Sequence, residues 1–465
     1  MDKYNELIKE MKRRVPVGES FDLLERKLNI GGKAASMFFV DGLVDGGMMQ
    51  RVIFSLFSLK PQQVESAGTA QEFIETGMPF LDTMVLKDLD QAIKFMYSGL
   101  VPLFISGYSE IIIIDCRSYP LRGIEEPSKE QSLRGSKDGF VESMMTNIAL
   151  IRRRIRDNDL IFKIFTIGKV TKTDVSVAYM KNKADMGMVK KLSDSLADME
   201  INGLTVTEQT LVEKLVGKKL GKLNPFPKVR YTQRPDIIAA HVEEGKIAVI
   251  VDNSPTVILI PAGIFDFVQD VDDYYFPMLT GNYFRTLRIA NILVILFATP
   301  LYLLFAEGDI PVHDAIKFFI TEEDFAISIF WQFILLEIAI DGLKLASLNT
   351  PESLGMSLSV IGALILGEFS VSSGWFVPQT ILCMAVVALA SFIQPSIELG
   401  YAIKFVRVFM LIGAHFLGWP GIVAALVLSL IVMATTKTLV GTSYLYPVIP
   451  WDGSKLKKLI FRTKK

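Results

Sequence analysis

A break in character near Gly281 constrains this chain more than any other feature. Before it, charged residues recur every few positions; after it, long apolar runs dominate. The clearest run, Leu287 to Phe305, has 19 residues interrupted only by Arg288, Asn291 and Pro300. At about 1.5 Å per residue in a helix, that length matches one crossing of a bilayer's hydrocarbon core. The same break explains how a chain of 465 residues can be 50% hydrophobic and still 21% charged. The expectation is a soluble α/β N-terminal half, built as two small subdomains, followed by an all-α transmembrane helix bundle.

The apolar half divides at polar breaks. Arg285 and Arg288 mark the start of the first crossing and place that end in the cytoplasm. Residues 306–324 are acidic overall and read as an external loop. Phe325 to Ala346 is apolar but holds Glu337, Asp341 and Lys344, so it either faces a bundle interior or lies at the interface. Leu354 to Val371 carries Glu368 near its end, and Trp375 to Ile393 is a further crossing closed by Gln394-Pro395. Phe405 to Leu417, which includes Arg407, and Gly421 to Val440 form a helical hairpin around Gly418-Trp419-Pro420. The basic tail from Lys455 places the C-terminus inside. Both ends inside requires an even number of crossings; six fits best, and four results if two segments are partial.

A charge at mid-bilayer costs about 2.5–3.5 kcal/mol on the insertion scale. Glu337, Asp341 and Glu368 are therefore either candidates for a polar path or groups at interface level, where the cost is small; Gly362 and Gly367 let a neighbouring backbone approach, in ordinary helix packing or beside such a path. Lys344 is a possible partner for Asp341. Glu398, between Pro395 and Lys404, reads as a loop residue.

In the soluble half, Ala34 to Val44 reads as a strand into a turn and Gly46 to Leu59 as a helix. Leu86 to Tyr97 is an amphipathic helix. Val101 to Ile105 and Glu110 to Cys116 form a hairpin around Gly107, with Pro102 suiting an edge strand. Arg117 to Asp138, rich in proline, glycine and charge, is a linker. A second α/β unit follows: a helix at residues 140–154, strands at 160–168 and 174–180, helices at 184–199, 207–220 and 236–242, and a strand pair at 246–252 and 256–261. The predicted organisation is a cytoplasmic subdomain over 1–120, a second with its linker over 121–280, a transmembrane domain over 281–442 and a cytoplasmic tail over 443–465.

The run Arg152-Arg153-Arg154-Ile155-Arg156 admits two readings. It is a surface for acidic loops or anionic lipid, with Glu125, Glu126 and Glu142 as partners across a subunit boundary, or a solvated helix end whose cations complement the dipole.

Composition narrows the function. A net charge of -1 argues against a nucleic-acid partner. Cys116 and Cys383 lie in different halves and predict no disulfide framework, and His241, His313 and His415 have no metal-ligand spacing. No cofactor and no catalytic residue is expected. Gly31-Gly32-Lys33 fails as a phosphate loop, because Lys27 stands where a glycine is needed and Ala34 where a hydroxyl is needed. The stretch from Met1 to Val15 is charged and amphipathic, unlike a secretory signal, so the N-terminal half is expected in the cytoplasm.

Several segments in order resemble the GerA family of spore germination proteins, A-subunit type. They are Phe38 to Asp45; Arg122 to Pro127, Arg134-Gly135 and Asp138 to Glu142; Asn147 to Arg156 and Lys172 to Val175; Gln233 to Asp236; and Val251 to Pro261 with Asp273-Tyr274-Tyr275. In the apolar half, Ile361 to Leu364 and Tyr444 to Pro450 add to the set. Tyr119-Pro120 and Tyr444 to Pro450 resemble the stage V sporulation protein AF branch. One departure follows Glu337, where Ile340-Asp341-Gly342-Leu343-Lys344 replaces the family's usual pattern.

The resemblance implies a multi-pass protein of the spore inner membrane with its N-terminal half in the spore core. It implies a homo-oligomeric, pentameric cation channel that releases monovalent ions in germination or amplifies the signal. Its partners would be another small membrane protein or germinant receptor subunits, together with membrane lipid. Nutrient recognition is assigned to a different subunit, so no ligand site is carried over. The alternatives are a non-conducting scaffold and a solute transporter; the latter would want internal repeats in the membrane half, and none is evident.

Overall fold

The computed structural model describes residues 3–78, 82–119, 135–205, 207–216, 224–270, 275–308, 320, 325–349, 362 and 364–460. It forms two compact units, Met1–Gly217 with Val229–Pro261, and Lys218–Lys228 with Ala262–Lys465. The second unit thus begins ahead of residue 281, where the apolar runs begin.

The first unit holds two five-stranded antiparallel sheets. After helix α1 (Lys3–Arg14), strands β1 (Leu23–Ile30) and β2 (Lys33–Val40) form a hairpin. Helices α2 (Gly46–Ser58), α3 (Pro61–Ser66) and α4 (Ala70–Gly77) lead to β3 (Thr83–Leu86). Helix α5 (Leu89–Met96) precedes a second hairpin, β4 (Val101–Ile105) and β5 (Ile111–Ile114). The sheet order is β1-β2-β4-β5-β3. The next subdomain runs through α6 (Met144–Arg154), β6 (Leu160–Ile167), β7 (Thr173–Met180), α7 (Met186–Ala197), α8 (Thr207–Val216), β8 (Arg230–Thr232), α9 (Pro235–Glu243), β9 (Ile247–Val251) and β10 (Val257–Ile260). Its order is β6-β7-β9-β10-β8. The two subdomains therefore share one topology: hairpin, helices, a returning edge strand, a helix, and a central hairpin.

Strand composition follows from burial. Successive residues of a strand point to opposite faces. In β5, Ile112 and Ile114 pack with Val52, Leu56 and Phe73 from α2 and α4. Ile111 and Ile113 pack on the other face with Met11 of α1 and Ile93 of α5. Both faces are covered, so the strand is four consecutive isoleucines rather than an alternating pattern.

One expectation is corrected by the sheet order. Strand β4 is central, not an edge. Pro102 is accommodated because the register with β2 covers only Leu103 to Ile105, so no ladder donor is required of it there. Gly31 and Gly32, dismissed as a phosphate loop, form the two-residue turn of the β1–β2 hairpin, with φ of 55° and 87°. Positive φ at both central positions is what such a turn demands and what glycine supplies.

The second unit is helical. It contains α10 (Met278–Ala306), α11 (Ile329–Asn349), a π-helical segment at Leu364–Phe369, α12 (Pro378–Phe392), α13 (Ile397–Leu417), α14 (Trp419–Thr435) and a tail helix α15 (Gly453–Ile460). Among the described residues, α10 alone is long and apolar enough to cross a membrane by length and composition, while α12 and α14 are apolar but shorter. Most of the predicted crossing from Leu354 to Val371 and most of the acidic loop lie outside the described residues. Helix α13 is longer than expected and starts at Ile397. Glu398 lies in its first turn, not in a loop, where it accepts a hydrogen bond from Ser396 Oγ at 2.8 Å. Ser396 also caps the helix, accepting from Leu399 N at 3.2 Å.

Candidate functional site

The helical unit is organised around a buried ion cluster. Glu337 and Asp341 stand four residues apart on α11, and Lys404 and Arg407 three apart on α13; either spacing puts two side chains on one helix face. Arg407 Nη2 lies 2.5 Å from Glu337 Oε1, and Lys404 Nζ 3.2 Å from Glu337 Oε2. Lys404 also pairs with Asp341 and donates to the Glu337 carbonyl at 3.3 Å. Arg407 Nη1 reaches the Ile295 carbonyl of α10 at 3.3 Å. Three helices are thereby tied by one set of charges. Glu337 and Arg407 are almost fully buried, whereas Asp341 is partly exposed, so the cluster opens at the Asp341 end. Removing one member of such a buried pair typically costs about 3–5 kcal/mol, because the other charge is left unpaired.

The expected pairing of Asp341 with Lys344 is replaced by Lys404. Lys344 instead lies over the Phe392 ring, 5.2 Å from its centre. Helical spacing within one segment favoured Lys344; packing of a second helix decides otherwise.

Two further devices hold the bundle. Gln332 of α11 is fully buried. Its Oε1 accepts from Val377 N at 3.0 Å and Thr380 Oγ1 at 2.8 Å, and its Nε2 donates to the Ile327 carbonyl at 2.7 Å. It thus satisfies a backbone donor at the start of α12, where Pro378 opens the helix. Gly413 and Gly421 bring α13 and α14 together: a Cβ at Gly413 would meet the Gly421 carbonyl oxygen at 2.6 Å.

The remaining path candidates separate from the cluster. Glu368 is exposed on the π-helical segment, with Gly367 beside it, and no hydrogen bond or ion pair holds it among the described residues. A Cβ at Gly362 would meet Leu343 at 3.0 Å, and one at Gly367 would meet nothing within 4 Å.

The basic run closes helix α6, as the helix-end reading expects, but its first arginine is not solvated. Arg152 is 0% exposed. Its Nε and Nη2 bind both oxygens of Asp22 at 2.8 and 3.1 Å, and its remaining donors reach the carbonyls of Leu160 and Asp157 at 2.9 and 3.1 Å. The guanidinium lies over Tyr97 and Phe162, at 5.3 and 5.0 Å from the ring centres. Asp22 precedes β1 and Arg152 lies in the last turn of α6, so this pair joins the two subdomains. Arg153 covers the Tyr119 ring at 4.9 Å. Arg154 pairs with Asp138 at 2.6 Å. Burial would raise the Asp138 carboxyl, but hydrogen bonds from Arg154 and Ser136 outweigh it and hold the group below its usual range. Glu142 is exposed, while Glu125 and Glu126 lie outside the described residues. The signal for the Asp22 pair was absent from local sequence, since its partners are 130 residues apart.

Residues 9–465 match the family described as Bacillus/Clostridium GerA spore germination protein. The chain is 35% identical over 454 residues to stage V sporulation protein AF of Bacillus subtilis (strain 168), covering 98% of this chain and 91% of that one. It is 26% identical to spore germination protein KA of the same organism, over 96% of this chain and 82% of that one. A crystal structure of the N-terminal domain of the A subunit of the Bacillus megaterium spore germinant receptor GerK3 aligns with 55% of this chain and 93% of that one, at 24% identity and a TM-score of 0.40. The chain belongs to the GerA family of spore germination proteins.

Proposed function

We propose that this chain is the subunit of an oligomeric cation channel in the spore inner membrane, acting in germination by releasing ions or amplifying the signal. The observation that carries the reading is Glu368. The other acidic groups of the helical core, Glu337 and Asp341, are neutralised by Lys404 and Arg407. Glu368 is exposed at the end of an apolar segment, and no cation is held against it among the described residues. A carboxylate facing lipid costs about 2.5–3.5 kcal/mol at mid-bilayer and less toward the interface. Facing a hydrated axis between copies, it would cost little and would attract cations. The adjoining π-helical turn fits a functional position, since such turns concentrate at sites of function.

On this reading, Gly362 and Gly367 flank the path, and the Glu337–Asp341 cluster braces the wall behind it. The N-terminal half stays in the spore core, the helical half makes several crossings, and five copies surround the axis. Receptor subunits or a small membrane protein join the assembly.

The test is potassium flux from liposomes containing the purified oligomer. Wild type is expected to conduct, and Glu368→Ala to conduct measurably less at equal protein and equal assembly. No flux from folded, oligomeric wild type would reject a self-sufficient channel and favour a scaffold.

A further inference from the structure

We propose that the C-terminal tail is an anionic-lipid clamp: Trp451 is seated at the membrane interface, and the basic charge of the tail sequence draws it to lipid phosphates. The inference rests on the helical half being embedded in a bilayer, not on its conducting ions.

Three observations converge on one level of the molecule. The first is position. The tail is tied beside the chain that enters α10: Ile264 N donates to the Tyr444 carbonyl at 3.1 Å, and Arg288 Nη1 of α10 donates to the Val268 carbonyl at 3.1 Å. Helix α15 itself packs against α10. The tail is thus held at the end where α10 begins, the level at which a membrane-crossing helix meets the headgroups.

The second is exposure. Trp451 is 71% exposed and Ile449 50%, and near the start of α10 Leu279 is 85% and Tyr283 62% exposed. Aromatic residues with an apolar body and a polar edge concentrate at the membrane–water boundary. Large apolar side chains exposed on helices embedded in a bilayer are accounted for by lipid.

The third is charge. From Asp452 onward the sequence has six basic residues, Lys455, Lys457, Lys458, Arg462, Lys464 and Lys465, against the single acidic Asp452. Asp452 is engaged by Ser454 Oγ at 2.8 Å and Tyr446 OH at 3.3 Å. A basic segment beside apolar anchors is complementary to an anionic leaflet. The chain as a whole has a net charge of -1, so this local excess is not a reflection of bulk composition.

The experiment uses the full chain with Trp331, Trp375 and Trp419 replaced by phenylalanine, leaving Trp451 as the sole tryptophan. It is reconstituted in phosphatidylcholine vesicles with or without phosphatidylglycerol, and quenching by brominated lipid and by aqueous iodide is measured. The expected result is strong brominated-lipid quenching and weak iodide quenching, more so with phosphatidylglycerol. The dependence on phosphatidylglycerol should be lost in Lys455→Gln/Lys457→Gln/Lys458→Gln and in 1 M salt, where the Debye length falls to about 3 Å. Iodide quenching that is strong and independent of lipid would overturn the proposal. So would shielding from iodide without brominated-lipid quenching, which would mean that protein covers the tail. A second chain, with all four tryptophans replaced and Leu293→Trp added, reports insertion of α10 alone. If that residue is also unquenched by lipid, the membrane reading itself fails; if it is quenched while Trp451 is not, only the clamp fails.

Discussion

Arg152→Ala should separate the two subdomains of the α/β half without altering the helical half. The side chain supplies four hydrogen bonds, two to Asp22 and two to the carbonyls of Leu160 and Asp157, in a site where both charged groups are 0% exposed. Truncation leaves the Asp22 carboxylate buried with Ser20 Oγ as its one side-chain partner among the described residues. Breaking a buried pair in this way costs about 3–5 kcal/mol, a large part of the roughly 5–15 kcal/mol that holds a domain together. At 1.4 kcal/mol per factor of ten, amides at the junction should exchange about a hundredfold to a few thousandfold faster. Phe21 N, bonded to the Phe162 carbonyl at 3.1 Å, and Phe162 N, bonded to Ser20 Oγ at 2.9 Å, are the reporters. Hydrogen exchange with mass-spectrometric readout resolves them. The double change Asp22→Asn/Arg152→Met, which leaves no buried charge, should recover much of the protection. Exchange at Phe21 and Phe162 that is unchanged in Arg152→Ala would refute the assignment of this pair as the joint.

Other perturbations test other parts of the molecule. Asp138, held below its usual carboxylate range, should stabilise the fold above about pH 4 and lose that contribution as pH falls through its folded value; Asp138→Asn should flatten this acid limb in a melting profile. Gly421→Ala places a Cβ against the Gly413 carbonyl and should destabilise the helical unit by about 1–3 kcal/mol. Tryptophan fluorescence reads this selectively, because Trp331, Trp375, Trp419 and Trp451 all lie in that unit. Glu337→Ala, which strands Arg407 in a buried site, should cost about 3–5 kcal/mol and lower the yield of folded protein, whereas Glu368→Ala should leave yield unchanged.

The sequence made legible what depends on local periodicity. Helix α2 and the hairpins β4–β5 and β9–β10 follow from apolar spacing and turn residues. Strand β1 is masked in the sequence by Glu25, Arg26 and Lys27 in its middle, although the Gly31-Gly32 turn marks a hairpin. Strands β3 and β8 are short edges whose pairing comes from distant partners. In the helical half, Glu337 and Asp341 were recognisable as charges needing a reason. That the reason is Lys404 and Arg407 is a fact of tertiary packing across more than 60 residues. The basic run at Arg152 shows the same limit. Three adjacent arginines look alike in sequence, yet one is a buried joint, one covers a ring and one holds Asp138.

The central claim is that Glu368 faces a cation path. Its most direct test is the reversal potential of reconstituted channels under a potassium chloride gradient. Glu368→Gln should reduce preference for potassium over chloride, and Glu368→Lys should reduce it further or invert it, with conduction retained. Conduction with unaltered ion preference in both variants would contradict the claim and place the path elsewhere.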